Sequence, residues 1–283
     1  MPSASLLAQS ILSGILIGGL YTLLGLGLSL SWRFLQVINL AHFAFVFLAA
    51  YMSYQLIGAA GLNPALTLLI LLPIFFLIGI ALQYLLIRFS VNEFASLLVT
   101  FGILVLLETL IQWIWSADFR RLETSYGTAS IKIGVIYAPI VECIMFFVAV
   151  IVAVVTWAWL KFTYVGKALR AIAENPIIAG AFGVNHKRLA YLIAGISAAT
   201  AAIAGIFIAL ISTLAPAQIV VWLGVVFAAV ILGGLGNPLG LLVASLVIGV
   251  SEAITMAVTA PTWAPLVSFT LLIAILILRP HKV

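Results

Sequence analysis

Long apolar runs are the feature that most constrains this chain. Nine of them follow one another along the sequence, and each is close to the roughly 20 residues that an α-helix needs to cross a bilayer. Strands of a membrane barrel would instead alternate apolar and polar residues. The predicted spans are 6–31, 35–58, 64–87, 94–116, 138–160, 189–214, 219–235, 238–258 and 262–278.

The composition excludes a water-soluble fold. Hydrophobic residues make up 66% of the chain and charged residues only 7%, whereas a soluble domain has about 25% charged residues. Inside a bilayer every backbone polar group needs an internal partner, which continuous apolar runs provide as helices. We therefore predict an all-α fold, a polytopic transmembrane helical bundle with residues 1–283 as a single domain. One or two runs are short or glycine-rich, so eight or nine membrane segments are expected.

The positions of the charges predict an orientation, because Lys and Arg concentrate in cytoplasmic loops. With nine passes and the N-terminus outside, only three of the twelve basic residues fall outside: Arg120, Arg121 and Lys132. The C-terminus is then cytoplasmic. The net charge of +5 has the same explanation and needs no nucleic-acid partner. The outer segment 117–137 is expected to form a small hairpin or loop. The basic residues assigned to the inside are Arg33, Arg88, Lys161, Lys167, Arg170, Lys187, Arg188, Arg279 and Lys282.

The largest polar segment, 162–188, lies on the predicted cytoplasmic side. Residues 167–174 favour a helix, and Asn175 is suited to cap a second, short helix with Pro176 in its first turn. Gly183 is expected to end that helix. Its apolar residues recur at helical spacing, which predicts an apolar face on an element too short to cross a membrane, and hence a partner protein. These residues are Ile177, Ile178, Ala181 and Phe182.

Sequence motifs for catalysis are absent. The pair Gly166-Lys167 is followed by Ala168 and lacks the upstream glycine of a phosphate-binding loop, so the chain is not expected to bind ATP itself. There is no Ser/His/Asp set and no paired metal-ligand spacing. We predict a protein that is not an enzyme and holds no metal or cofactor of its own.

Polar residues within the spans are the remaining candidates, since an ionisable group at mid-bilayer costs about 2.5–3.5 kcal/mol on insertion scales. For Glu108 and Glu252 two interpretations stay open, a role in a pathway or gate and a hydrogen bond between helices. Glu142 is interpreted as an interfacial residue near the outer end of its span. Asn39 lies one turn before His42, so the two are expected to share a helix face and a hydrogen-bond network.

Glycines mark two further places. The stretch 231–240, with Gly233, Gly234, Gly236 and Asn237, is predicted to break a helix and to let backbone approach backbone or substrate. Close helix packing is an equal alternative there. Separately, Gly14 and Gly18 form a GxxxG pair, which we interpret as a packing contact.

Four ordered segments, 19–45, 97–110, 166–189 and 227–253, together resemble a known family. It comprises the first of the two membrane permeases in bacterial ATP-driven (ABC) importers for branched-chain and other hydrophobic amino acids. The resemblance implies the bacterial inner membrane and partners: two cytoplasmic ATPases that use ATP and Mg, a periplasmic binding protein, and a second related permease, with a homodimer left open. It also implies that 174–184 is the helix that couples to the ATPase. The implied coupling residues are Arg170, Glu174, Asn175, Pro176, Ile177, Ile178, Ala181, Phe182 and Gly183.

The chain departs from the family after His42, where Phe43 and Ala44 replace a glycine and an acidic residue. These apolar residues would narrow or dry that region of a pathway. The implied substrate is a small hydrophobic amino acid or a related apolar carboxylate or amide. A self-contained secondary transporter or channel using Glu108, Glu252 and His42 is the alternative. The candidate pathway residues are Asn39, His42, Phe43, Thr100, Glu108, Gly233, Gly234, Gly236 and Asn237.

Overall fold

A computed structural model describes residues 3–89, 92–123, 127, 129–134, 136–259 and 261–278. Arg279, His281 and Lys282 lie outside these residues. The described chain is a bundle of α-helices with one two-stranded hairpin. Its helices are α1 (Ala4–Leu35), α2 (Ala41–Tyr54), α3 (Pro64–Arg88), α4 (Glu93–Trp115), α5 (Ile140–Phe162), α6 (Tyr164–Glu174), α7 (Pro176–Ala181), α8 (His186–Ile211), α9 (Val221–Gly233), α10 (Pro238–Val258) and α11 (Ala264–Leu278).

Eight helical segments of the described chain are long and apolar enough to cross a membrane. Two of them include a shorter turn: a π-helical turn, Gln55–Ala59, extends α2, and a 3-10 turn, Pro216–Val220, leads into α9. The last predicted run is represented by α11, whose 15 residues span about 22 Å at 1.5 Å per residue. That is less than the roughly 30 Å of the hydrocarbon core. The prediction of a polytopic helical bundle with eight or nine segments is confirmed.

The centre of the bundle is formed by α1, α2 and α8, which carry about half of the buried side chains of the described residues. Two glycines of α1 also let α10 pack closely against it. A Cβ atom added at Gly14 of α1 would lie 2.6 Å from Cα of Val250, and one added at Gly18 would lie 2.9 Å from Cα of Leu246. The pairing runs in opposite directions along α1 and α10, so the two helices are antiparallel. The GxxxG pair is a packing contact, as predicted.

The hairpin and the two short helices lie at opposite ends of the bundle, because α5 connects one to the other. Strand β1 (Ser130–Ile133) pairs antiparallel with β2 (Ile136–Pro139), which confirms the predicted hairpin. Gln9 near the start of α1 holds it: its amide donates to the carbonyl of Tyr137 at 2.8 Å and accepts from the N–H of Tyr137 at 2.9 Å. We call these two ends of the bundle the hairpin end and the α7 end.

The chain between α1 and α2 turns back into the bundle. Gln36 ends α1 in the left-handed conformation, with φ 54°, and α2 begins only at Ala41. His42 Nε2 lies 3.0 Å from the carbonyl oxygen of Leu24. Leu24 precedes the end of α1 by eleven residues, or about 16 Å at 1.5 Å per residue. The link 36–40 therefore runs back along α1 toward the hairpin end, and α2 starts inside the bundle.

This link corrects one sequence expectation. The run 35–58 is not one continuous helix, and Asn39 does not lie on a helix face with His42. The reason is that Val37, Ile38 and Leu40 are as apolar as the helices on either side. Hydrophobicity alone therefore gives no sign of the break.

Candidate functional site

The break between α1 and α2 is held by one side chain of α4. The N–H of Leu40 donates to Oγ1 of Thr100 at 3.2 Å, and the same hydroxyl donates to the carbonyl of Ile38 at 3.1 Å. Backbone without helical hydrogen bonds is tolerated at membrane depth only where it is buried in protein or lines a cavity. Three predicted residues, Asn39, His42 and Thr100, are thereby brought to a single place in the bundle.

Two hydrogen-bond acceptors at this break have no partner among the described residues. The carbonyl of Leu24 can only accept, so His42 donates from Nε2, and its Nδ1 is left as a bare acceptor. Oδ1 of Asn39 is likewise buried without a partner. The predicted shared side-chain network of these two residues is wrong, because Asn39 lies in the non-helical link and not on the helix of His42. What joins them is a backbone bond of 3.2 Å from the His42 N–H to the Asn39 carbonyl.

Small hydroxyl residues surround His42, and sequence reasoning missed them. Ser197 of α8 donates to the carbonyl of Gly27 at 2.8 Å and lies 2.7 Å from the hydroxyl of Ser31 on α1. Thr200 donates to the carbonyl of Ser197 at 2.7 Å. A Cβ atom at Gly27 would lie 2.5 Å from Cε1 of His42. The only available signal was the spacing of Ser197 and Thr200 within an otherwise apolar run.

Phe43 is fully buried next to His42. Its ring stacks on Phe227 of α9, with centroids 6.3 Å apart and planes at 18°. Phe227 also contacts Trp32 of α1 at 5.7 Å. Phe43 is therefore part of an aromatic stack that joins α1, α2 and α9 beside the break.

The glycine-rich stretch forms a turn between α9 and α10, and the predicted helix break is confirmed. Gly234 and Gly236 have φ values of 86° and 72°, a conformation that favours glycine. Asn237 caps α10 by accepting from the N–H of Gly240 at 3.1 Å. Gly236 donates to Ser29 Oγ at 2.9 Å, so the turn is held against α1 at the α7 end.

A cavity of about 460 Å³ separates the glycine turn from the link. Both groups of candidates contribute to its lining, the link through Ile38 and the glycine turn through Leu235. Helices α1, α4 and α6 supply the remaining walls. The lining residues are Trp32, Arg33, Gln36, Ile38, Phe94, Leu97, Ala173 and Leu235.

The two carboxylates within the membrane segments, the half-buried Glu108 and the buried Glu252, stand apart from the break. Glu108 lies on α4, about two turns beyond Thr100, and accepts a hydrogen bond from Gln112 of the same helix at 3.5 Å. Glu252 of α10 accepts from the hydroxyl of Tyr21 at 2.7 Å and from the hydroxyl of Ser268 on α11. Of the two interpretations left open for Glu252, this geometry favours the hydrogen bond between helices.

The polar segment at the α7 end folds as expected from its sequence. Oδ1 of Asn175 accepts from the N–H groups of Ile177 and Ile178, both at 3.1 Å, which caps α7 at Pro176. The helix ends at Ala181, and Gly183 follows with φ 82°. The predicted apolar face is solvent-exposed and lacks a partner within the described chain. Its members are Ile177, Ile178, Ala181 and Phe182.

Polar residues flank this face. Arg170 on α6 is exposed and donates to the carbonyl of Lys161 at 3.3 Å. Glu174, the last residue of α6, is also exposed. Within the described part of the chain, no group of three or more His, Cys, Asp or Glu residues could hold a metal ion.

Comparison with known proteins gives a consistent result. The family described as the permease component of branched-chain amino acid transport systems matches residues 10–276. The chain is 25% identical to the high-affinity branched-chain amino acid permease LivH of Salmonella typhimurium, covering 96% of this chain and 93% of that protein. It is 24% identical to BraD of Pseudomonas aeruginosa, over 99% and 96% of the two chains. A probable LivH of Methanocaldococcus jannaschii is 25% identical over 97% and 92%. No solved structure matches.

Proposed function

Because the chain belongs to the family of permease components of branched-chain amino acid transport systems, we propose that it is the membrane-spanning subunit of an ABC importer. Two partner ATPases bind and hydrolyse ATP with Mg, and a second, related permease completes the pathway. A periplasmic binding protein delivers the substrate, a small hydrophobic amino acid or a related apolar carboxylate or amide. The chain itself contributes no catalytic group and lies in the bacterial inner membrane.

The observation that carries this proposal is the exposed apolar face of α7. Phe182 is 85% exposed and Ile177 83%, although Ile177 lies on the six-residue helix α7, which is fixed by its Asn175 cap, and Phe182 directly follows that helix. An exposed apolar patch of this kind at the end of a membrane bundle marks an interaction surface. We assign the α7 segment as the coupling element that binds an ATPase, with Arg170 and Glu174 at its polar margin.

The charge distribution supports a cytoplasmic α7 end. Basic residues concentrate there, as the positive-inside rule expects of cytoplasmic loops, and the N-terminus of α1 lies at the opposite, hairpin end. The hairpin end has Arg120, Arg121 and Lys132. The described basic residues of the α7 end are Arg33, Arg88, Lys161, Lys167, Arg170, Lys187 and Arg188.

The break between α1 and α2 is our candidate for the substrate pathway. Asn39 Oδ1 and His42 Nδ1 offer two buried acceptors to the N–H groups of a substrate. Thr100 fixes the link, and Phe43 lines its surroundings with an aromatic wall. The glycine turn, Gly233 to Asn237, gives α9 and α10 a place to move relative to each other. Glu108 extends the polar positions of α4 toward the hairpin end.

A pull-down in mild detergent tests the proposal. We expect two ATPase subunits and a second permease to co-purify with the tagged chain. Phe182→Asp should release the ATPases, because it places a charge in the apolar contact. The matched control is Phe89→Asp, which changes a residue that is 73% exposed at the same end of the bundle but off the α7 segment. Retention of the ATPases by Phe182→Asp would contradict the coupling assignment.

Substrate transport by this chain alone in liposomes would favour the alternative function, a self-contained secondary transporter.

A further inference from the structure

Arg33 places an exposed cation at the edge of a cavity. It lies in the last turn of α1 and lines the 460 Å³ cavity at the α7 end. No hydrogen bond or ion pair of its guanidinium occurs among the described residues. The aliphatic stem packs against the glycine turn, because a Cβ atom at Gly236 would lie 2.5 Å from Cγ of Arg33. The hydrogen-bond donors of the guanidinium therefore have no partner among the described residues, while the stem contacts the glycine turn.

The rest of the lining divides into a polar and an apolar part. Gln36 adds an amide beside Arg33, and its left-handed backbone, with φ 54°, fixes the start of the link. The apolar part includes Phe94 and Leu97 of α4 and Leu235 of the glycine turn. The volume falls within the roughly 300–1,000 Å³ of small-molecule sites. A ligand that suits this lining has one anionic end and one apolar end.

We propose that this cavity is an inward-facing binding site for an apolar monocarboxylate. The carboxylate is held by the guanidinium of Arg33 and the amide of Gln36, and the hydrocarbon part packs against Phe94, Leu97 and Leu235. A planar guanidinium binds a carboxylate through two parallel hydrogen bonds, which an ammonium ligand cannot accept. That the site faces the cytoplasm rests on the proposed function. That it binds a carboxylate rests on the lining residues alone.

The position of the cavity connects it to the coupling element. Ala173, in the last turn of α6, forms part of its wall, and α7 follows after Asn175 alone. Any displacement of α6 by a bound ATPase changes the shape of the cavity. The link with Ile38 forms another wall, so the cavity adjoins the break.

Thiol protection tests the proposal on the full chain in lipid nanodiscs. The single cysteine, Cys143, is replaced by alanine, and Leu97→Cys supplies a reporter in the cavity. The probe is 4-methylpentanoate. We expect labelling by N-ethylmaleimide to slow about tenfold at roughly ten times the dissociation constant. A second reporter, Leu235→Cys, is tested separately, because the Leu97→Cys substitution could itself abolish binding of the probe. Lys187→Cys, exposed at the same end outside the cavity, should not be protected.

Three comparisons decide the outcome. Arg33→Gln should abolish protection, and Arg33→Lys should retain part of it because the charge remains. The amine 3-methylbutylamine, with the same hydrocarbon group, should not protect. Absence of protection at both reporters, equal protection by the amine, or undiminished protection in Arg33→Gln would overturn the proposal. Since the pull-down of the ATPases is independent of this labelling, failure of one experiment is distinguishable from failure of the other.

Discussion

The hydroxyl of Tyr21 donates a 2.7 Å hydrogen bond to Oε2 of Glu252 and so joins α1 to α10 inside the bundle. Ser268 donates to the other carboxylate oxygen and adds α11. Glu252 is only 6% exposed, so a lost donor is not replaced by water. One carboxylate thus connects three helices.

The Tyr21 bond predicts a change in stability. Tyr21→Phe should lower the free energy of unfolding by about 1–3 kcal/mol, the cost of leaving a buried acceptor short of a donor. Thermal unfolding in detergent measures this change. Tyr84→Phe is the control, because Tyr84 is exposed on α3. Equal unfolding temperatures for the two variants would contradict the structural role of the Tyr21 hydroxyl.

The contact between α1 and α10 predicts an effect of one methyl group. Gly14→Ala should destabilise the bundle by about 1–3 kcal/mol, as overpacking does, because the new Cβ would meet the backbone of Val250. Gly102→Ala is the matched control, since a Cβ there meets nothing within 4 Å. Thermal unfolding of the two purified variants gives the comparison. A Gly14→Ala protein as stable as the Gly102→Ala protein would show that the helices separate without cost.

The Thr100 hydroxyl predicts a combined loss of stability and transport. Thr100→Val leaves the Leu40 N–H and the Ile38 carbonyl without a partner, which should cost about 1–3 kcal/mol. The rate of ATP-driven uptake by the assembled complex should fall with it. Thr109→Val on the same helix is the control, because Thr109 donates only to the carbonyl of Val105 within α4. Unchanged uptake in Thr100→Val would remove the break from the pathway.

The end of α7 predicts a contrast between two glycines. Gly183→Ala places a side chain at φ 82°, which costs about 1–2 kcal/mol. The segment that follows α7 should therefore unfold locally more often. Gly180→Ala lies in the helix with free space around its Cβ and should favour the helix instead. Limited trypsin cleavage near Lys187 reports the opening, which should increase about 5- to 30-fold in Gly183→Ala. Equal cleavage of both variants would contradict the assignment of Gly183 as the helix stop.

The features predicted from sequence are those whose causes are local. The Asn175 cap was predictable because its two acceptor contacts are to residues two and three positions along the chain. Each membrane helix was predictable because its apolar run is continuous. The glycine turn was visible as a composition, although its docking on Ser29 involves a residue 207 positions away.

The features missed depend on contacts distant in sequence. Nothing in the run 35–58 marks the link, since its hydrogen bonds go to Thr100, some 60 positions away. Glu252 was recognisable as unusual, but Tyr21 lies 231 positions from it. The empty acceptor of His42 likewise follows from the carbonyl of Leu24, which the sequence does not relate to it.

The single hydroxyl at the break has one more consequence. Thr100 lies within reach of two acceptors, the Ile38 carbonyl at 3.1 Å and the Leu97 carbonyl of its own helix at 3.3 Å. One oxygen atom serves both Ile38 and Leu40, so a shift of α4 away from the link lengthens both bonds together. The hydroxyl then keeps a partner in Leu97, while the link loses both of its contacts. A shift of α4 therefore breaks both hydrogen bonds in one step. The backbone groups left without a partner belong to the link, while the Thr100 hydroxyl on α4 keeps its bond to Leu97.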